Sequence, residues 1–199
     1  TVEDLYDNAL TARPATFTAI DTISPTPVFD PVDLENPVPV SDNITITFNE
    51  AVRNTNDSAL TSSNVDGLIT LKDSDENGTD IDFNATIDSD KKIITINPDS
   101  NFSSEQTVYV AIGATLEDDS DNAISAGEIT FVAADSTAPS LDFTPANSDT
   151  GIAINSDITI AFDEVIRNTD DSALTDSNID SLITLKTTNS SGTDIAFDA

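Results

Sequence analysis

The chain repeats itself at a fixed offset of 114 residues. Ile44-Thr45-Ile46 returns as Ile158-Thr159-Ile160, and Arg53-Asn54-Thr55 as Arg167-Asn168-Thr169. Asp57-Ser58-Ala59-Leu60-Thr61 returns as Asp171-Ser172-Ala173-Leu174-Thr175, and the LITLK run at 68–72 returns at 182–186. The same offset carries Glu3-Asp4 and Asp7-Asn8-Ala9 onto Glu117-Asp118 and Asp121-Asn122-Ala123. No gap is needed, and 27 of 45 positions are identical between residues 41–85 and 155–199. A fixed period is the signature of an array. A catalytic domain is seldom copied in tandem, whereas a stalk, an adhesin or a filament is built that way.

The offset divides the chain. Residues 1–21 align with 115–135 and match the C-terminal part of a repeat, residues 22–135 make one complete repeat, and residues 136–199 match the N-terminal part of another. The stretch without a counterpart in that last segment is 86–114. The expectation is a window on a longer polymer of repeats. The alternative is that the partial ends are completed by other copies through strand exchange.

Charge narrows the partners. Thirty-seven acidic residues face 7 basic ones, for a net charge of −30. Phosphate binding needs Lys and Arg, so nucleic acid is excluded as a partner, and an anionic membrane surface would repel the chain. Excess charge of one sign opposes compaction unless counter-ions relieve it. Cations are therefore the expected partner, and Ca²⁺ is the hard ion that suits carboxylate and carbonyl oxygens. An acidic surface serving solubility alone is the competing explanation. The chain has no Cys, His, Met or Trp, which removes disulfides, thiolate chemistry and the usual zinc ligands. No stretch approaches the roughly 20 apolar residues that span a bilayer, so membrane insertion is not expected.

Within one repeat the apolar period is two. Ile44, Ile46 and Phe48 alternate with threonines, and Ile81, Phe83, Ala85 and Ile87 with Asp82, Asn84 and Thr86. Val108, Val110 and Ile112 alternate likewise, and 68–71 and 93–96 are short β-branched runs. Clusters of Asp, Asn, Ser, Gly and Pro separate these segments. The pattern predicts strands A (26–30), B (43–49), C (67–72), D (80–87), E (92–97), F (106–113) and G (128–134). Seven short strands in about 100 residues describe an all-β, immunoglobulin-like sandwich. Residues 52–65 lack alternation, and Thr61-Ser62-Ser63-Asn64 is expected to open one helical turn. The phenylalanines recur in register as Phe17/Phe131, Phe29/Phe143, Phe48/Phe162 and Phe83/Phe197, and are expected in the core.

Several motifs in order resemble the bacterial Ig-like tandem repeats, of the type also found in surface-layer proteins and adhesins. They are Asp-Ser-Thr-Ala-Pro (135–139), Thr-Ile-Thr-Phe-Asn-Glu (45–50), Leu-Thr-Ser-Ser-Asn-Val (60–65), Ile-Thr-Ile-Asn-Pro (94–98), Thr-Val-Tyr-Val-Ala-Ile (107–112) and Glu-Asp-Asp-Ser-Asp-Asn-Ala (117–123). The resemblance implies extracellular, cell-surface β-sandwiches arranged in tandem and stiffened by Ca²⁺. It departs at one loop, where the usual Asp-x-x-Gly-Asn reads Asp118-Asp119-Ser120-Asp121-Asn122.

If successive strands run antiparallel, the B–C, D–E and F–G loops share a pole with the incoming linker. Glu50, Asp88, Asp90 and the run 117–121 then converge near Asp21. The linker 21–25 ends in Ser-Pro and returns at 135–139 ending in Ala-Pro, a stiff, extended junction. Carboxylates crowded on such a junction repel unless a cation bridges them. The expected Ca²⁺ ligands are Asp21, Glu50, Asp118 and Asp121 at one junction and Asp135, Asp163 and Glu164 at the other. Turn geometry alone also favours Asp and Asn in loops. Residues 73–78 match the start of an EF-hand loop, but position twelve is Asn84 and the counterpart 187–192 has lost every carboxylate. Gly78 and Gly192 persist, as a C–D hairpin turn requires. Arg53 and Arg167 are expected to pair with Glu50 and Glu164 or with nearby loops. Asp-Ser-Ala at 57–59 and 171–173 and Asp-Thr-Ile at 21–23 resemble a short O-glycosylation signal, which marks Ser58, Ser172 and Thr22.

The functional expectation is a structural repeat of a secreted bacterial surface polymer, an adhesin stalk or filament shaft. Its partners would be neighbouring repeats and, by strand exchange, other copies in a filament. A multivalent binding module using the loop 54–66 is the alternative, as is an accessory region of a secreted enzyme. The sequence offers no catalytic His, Cys or Gly-x-Ser-x-Gly elbow.

Overall fold

Period-two alternation becomes a sandwich when apolar faces of two sheets meet. The computed structural model, which describes residues 2–199, divides into one unit ending at Ser136 and another beginning at Thr137. The first unit holds β1 (Pro27–Asp30), β2 (Ile44–Phe48), β3 (Arg53–Asn54), β4 (Ile69–Asp73), β5 (Phe83–Ile87), β6 (Ile93–Pro98), β7 (Thr107–Ile112), β8 (Leu116–Glu117) and β9 (Gly127–Val132). Four strands pair antiparallel in the order β1-β2-β6-β5, three in the order β4-β7-β9, and β3 pairs with β8. In the letters of the sequence analysis the two main sheets are A-B-E-D and C-F-G, the arrangement of an immunoglobulin-like sandwich.

The inward residues are those the alternation selects. Ile44, Ile46, Phe48, Ile94 and Ile96 of one sheet are buried, as are Leu71, Val108, Val110, Ile112 and Phe131 of the other. Burial of each such side chain contributes about 1.5–3 kcal/mol. The Phe102 and Phe131 rings meet edge to face, with centroids 5.5 Å apart. Outward positions on the four-stranded sheet include threonines and asparagines, with Thr45, Thr95 and Thr86 in one cross-strand row, and the exposed Val28 and Ile93 flank Thr47.

Two sheet edges are managed by the chain itself. Residues 33–38 run beside β9: Leu34 N donates to Thr130 O, Val132 N to Glu35 O and Val38 N to Val132 O, with Val38 bridging Ala133 in parallel. The free edge of β4 is met by residues 79–81, where Asp73 N donates to Thr79 O (2.9 Å) and Ile81 N to Leu71 O (3.0 Å). The chain then crosses to the other sheet and becomes β5. The expected single strand over 80–87 is therefore split, because its first residues complete the β4 edge before the sheet switch. Gly78 sits where the turn folds tightest: a Cβ there would lie 1.6 Å from Asp73 O, and one at Gly192 would lie 1.6 Å from Thr187 O. Close backbone approach explains why glycine persists while the rest of this turn changes.

In the second unit, β10 (Leu141–Thr144) pairs with β11 (Thr159–Phe162). Leu141 stands opposite Phe162 and Phe143 opposite Ile160, as Pro27 stands opposite Phe48 and Phe29 opposite Ile46. Thr175 opens a short helix α1 (Asp176–Ile179) through a capping box with Asn178. Thr61 N donates the equivalent bond to Asn64 Oδ1 at 2.8 Å, so the helical turn expected at 61–64 is present. Local geometry thus recurs at the sequence offset. Burial does not: Phe131 is fully buried while Phe17 at the matching position is 93% exposed. Phe143 and Phe162 are also exposed, because within their unit the β10–β11 ribbon has no opposing sheet.

Candidate cation-binding site

The loop after β8 is built by one carboxylate. Asp118 Oδ1 accepts the N–H of Ser120 (2.7 Å) and of Asn122 (2.9 Å), while Oδ2 accepts Asn122 Nδ2 (2.8 Å). Asp118 is only 3% exposed. Hydrogen bonds from the Asn122 side chain and from backbone N–H groups, with the charge of Arg53, hold its carboxyl below the ordinary range against the opposing effect of burial. Asp121 adopts φ +66° in this turn. That is the left-handed region a glycine favours and Asp tolerates, so the departure from Asp-x-x-Gly-Asn keeps a glycine-like backbone. Asp4 and Asn8 make the same set of bonds at 2.9–3.0 Å, with Asp7 at φ +63°.

This loop reaches the linker ahead of β1. Asn122 Nδ2 also donates to Asp21 O at 3.2 Å, and Asp21 Oδ1 accepts Ile23 N at 3.0 Å. At the end of the linker, Thr26 N donates to Asn49 Oδ1 at 2.6 Å. Asp21, Glu50 and Asp118 each bring a carboxylate oxygen within 4.8 Å of the others. Asp21 is exposed, Glu50 half-buried and Asp118 buried. Among the described residues, no Lys or Arg forms an ion pair with any of the three.

A second carboxylate cluster lies next to it, made of Asp57, Glu117 and Asp121. It holds its own cation. Arg53 Nη2 lies 2.8 Å from Asp57 Oδ1 and 2.5 Å from Asp121 Oδ1, and Nε lies 3.3 Å from Glu117 Oε1. The Nε contact lacks hydrogen-bond alignment. Burial works against the charged guanidinium, but Asp57, Glu117 and Asp121 outweigh it and raise the Arg53 pKa. Arg167 makes the equivalent pair with Asp171 at 3.1 Å.

Of the four ligands expected at the first junction, Asp21, Glu50 and Asp118 come together and Asp121 pairs with Arg53 instead. Arg53 pairs with loop carboxylates and not with Glu50. Asp88 is engaged in its own hairpin, accepting Lys92 N (2.7 Å) and Ile93 N (3.0 Å). In the first unit Asp135 Oδ1 accepts Ser104 Oγ–H at 2.6 Å. In the second, Asp163 accepts Ser140 N (2.8 Å) and Oγ–H (2.6 Å), and Glu164 beside it is half-buried. Thr22, Ser58 and Ser172 are exposed. Ser58 Oγ–H donates to Asn56 Oδ1 and Ser172 Oγ–H to Asp170 Oδ1, both at 2.6 Å, so each hydroxyl is held within its own turn. The roles of Asp57 and Asn122 were not singled out by sequence. The visible signal for Asn122 was the Asp-x-x-x-Asn spacing repeated at Asp4 and Asn8.

A family model for the bacterial Ig-like domain matches residues 21–132. The chain belongs to that family. No curated protein matches it. Among solved structures, this bacterial Ig-like chain is similar to the N-terminal part of the bacterial S-layer protein SbsC, at 12% identity and a TM-score of 0.40, over 61% of this chain and 26% of that one. A longer SbsC structure, rSbsC(31-844), matches at 12% identity and a TM-score of 0.39, over 61% of this chain and 15% of that one. The LD transpeptidase LdtMt1 in complex with imipenem matches at 14% identity and a TM-score of 0.34, over 60% and 42%. The match therefore spans less than half of each of these chains, and likeness at this level carries no argument about activity. No helix among the described residues is long and apolar enough to cross a membrane.

Proposed function

We propose that this bacterial Ig-like chain is a repeat-built structural segment of a secreted surface protein, an adhesin stalk or the shaft of an extracellular filament. The observation that carries the reading is recurrence. The sequence returns at 114 residues, and strand register, capping turn and the Arg–Asp pair return with it. Copies with one geometry suit a spacer, in which each sandwich resists extension and proline at 25 and 139 restricts bending.

We also propose that Asp21, Glu50 and Asp118 hold Ca²⁺. The donor set supports this: three carboxylates, no soft ligand, and an Asp118 Oδ2 that keeps a lone pair beyond its bond to Asn122. Carbonyls and water would complete the shell. Bound there, the ion would neutralise the cluster and fasten the linker to the loop. Asp135, Asp163 and Glu164 are proposed for the following junction on the sequence offset alone.

Small-angle scattering on a chain of two complete repeats, with Ca²⁺ and then with chelator, tests both readings. A rod that turns flexible on chelation supports metal-stiffened junctions. An unchanged rod keeps the spacer and rejects the metal, and a flexible chain in both states rejects the spacer. In that last case weight moves to multivalent binding by the loop 54–66. Its Asn54–Ser58 bonds recur as Asn168–Ser172 and would present one surface in every copy.

A further inference from the structure

The outer edge of β5 is a terminal edge of the four-stranded sheet, where another strand could be added. β5 ends the four-stranded sheet and β4 ends the three-stranded one. A groove of about 480 Å³ lies between the two edges, lined by Ile69, Leu71, Ile81 and Phe83 among others. An edge strand carries a row of outward N–H and C=O groups that another chain can pair with. Ala85, in the middle of β5, turns its N–H to this side. That N–H does not wait for a strand: it donates to Asp66 Oδ1 at 2.7 Å. Asp66 begins a single 3₁₀ turn, Asp66–Leu68, and Ala85 beneath it is fully buried.

The arrangement returns in the second unit. Ala199 N donates to Asp180 Oδ1 at 2.9 Å, and Asp180 begins the 3₁₀ turn Asp180–Leu182. The residues on either side of the aspartate change between copies, Val65 to Ile179 and Gly67 to Ser181, while the aspartate does not.

We infer that Asp66 guards this edge: its carboxylate takes the hydrogen-bond position that a strand from another copy would use. The need follows from the sequence repeat. Nearly identical copies present nearly identical edges to one another at high local concentration, which favours wrong pairing and strand exchange. A side chain turned inward to occupy the edge is one of the devices that prevents it.

The test is sedimentation velocity of the 199-residue chain from low to high micromolar concentration, with circular dichroism on the same samples. Asp66→Asn keeps an oxygen acceptor and should sediment as wild type does. Asp66→Ala withdraws the acceptor and should associate increasingly with concentration. Adding Ala85→Pro to that variant removes the N–H that the loss of Asp66 leaves unpaired and should return it to the wild-type species. A folded Asp66→Ala that remains unassociated overturns the inference. So does association of Asp66→Asn, or association that persists with Pro at 85. Should Asp66→Ala lose its fold, Asp66→Ser, whose hydroxyl cannot reach the Ala85 amide, takes its place and is judged by the same outcomes.

Discussion

Arg53 stands opposite Glu117 across the β3–β8 pair, with Nε 3.3 Å from Oε1, and its guanidinium also meets Asp57 and Asp121. A short two-stranded ladder at one end of the sandwich is thereby clamped by charge. Glu117 is 8% exposed, so removing Arg53 leaves a buried carboxylate without its counter-charge. Arg167 has only Asp171 as its ion-pair partner among the described residues, and its side chain is 70% exposed. Arg53→Gln is expected to lower the urea midpoint clearly and Arg167→Gln to leave it nearly unchanged. Equal effects would show that the pairing with Glu117 and Asp121 adds nothing.

Gly78→Ala should destabilise by about 2 kcal/mol or more, because the new Cβ would meet Asp73 O at 1.6 Å and the turn must move. Gly67→Ala is the control. Nothing lies within 4 Å of a Cβ there, and the change should stay within about 0.5 kcal/mol. Denaturant unfolding of the two variants checks the pair.

Asp118 gives a pH signature. Its folded carboxyl lies below the ordinary value, chiefly through the Asn122 side chain. A depressed pKa means that the fold favours the ionised form. The stabilisation is present in full above the unfolded value of about 3.9 and fades as pH falls through the lower folded value. The stability difference between wild type and Asp118→Asn should be flat near neutral pH and shrink below about pH 4. A difference that grew on acidification would reverse the sign of the shift.

Tyr109 titrates late. Its O–H donates to Glu128 Oε2 at 2.6 Å, and this bond, with burial and the Glu128 charge, pushes the phenol up to about 12. The bond stabilises the fold fully below pH ~10, the value of a free phenol, and is lost as pH rises through the folded value. In a Tyr6→Phe background, ultraviolet titration should follow Tyr109 alone. Glu128→Gln should move the transition down toward 10. An unmoved transition would remove Glu128 as the cause.

The seven main strands were legible because each turns one alternating face inward, as Ile44, Ile46 and Phe48 do. The sheet switch after Ile81 was not. It depends on backbone bonds from 79–81 to β4, which leave the alternation of Ile81, Phe83 and Ala85 unbroken. The convergence of Asp21, Glu50 and Asp118 could be read from strand polarity, since loops alternate between poles. The separation of Asp121 from Asp118 could not. It follows from the left-handed backbone at Asp121, which carries that carboxylate to Arg53 while Asp118 accepts bonds from Ser120 and Asn122, and from an arginine remote in sequence.

The parallel contact between residues 33–38 and β9 bears on how the domain meets force. If the domain is pulled from its two ends, tension enters upstream of the first of these segments and leaves downstream of the second. Adjacent parallel segments pulled from opposite ends must slide past each other. Their bonds, including Val38 N to Val132 O at 3.0 Å and Ala134 N to Val38 O at 2.7 Å, are therefore loaded together in shear and cannot unzip one at a time. Under the proposed spacer role, a domain tied in this way would yield abruptly, and a chain of such domains would keep its length until one of them failed.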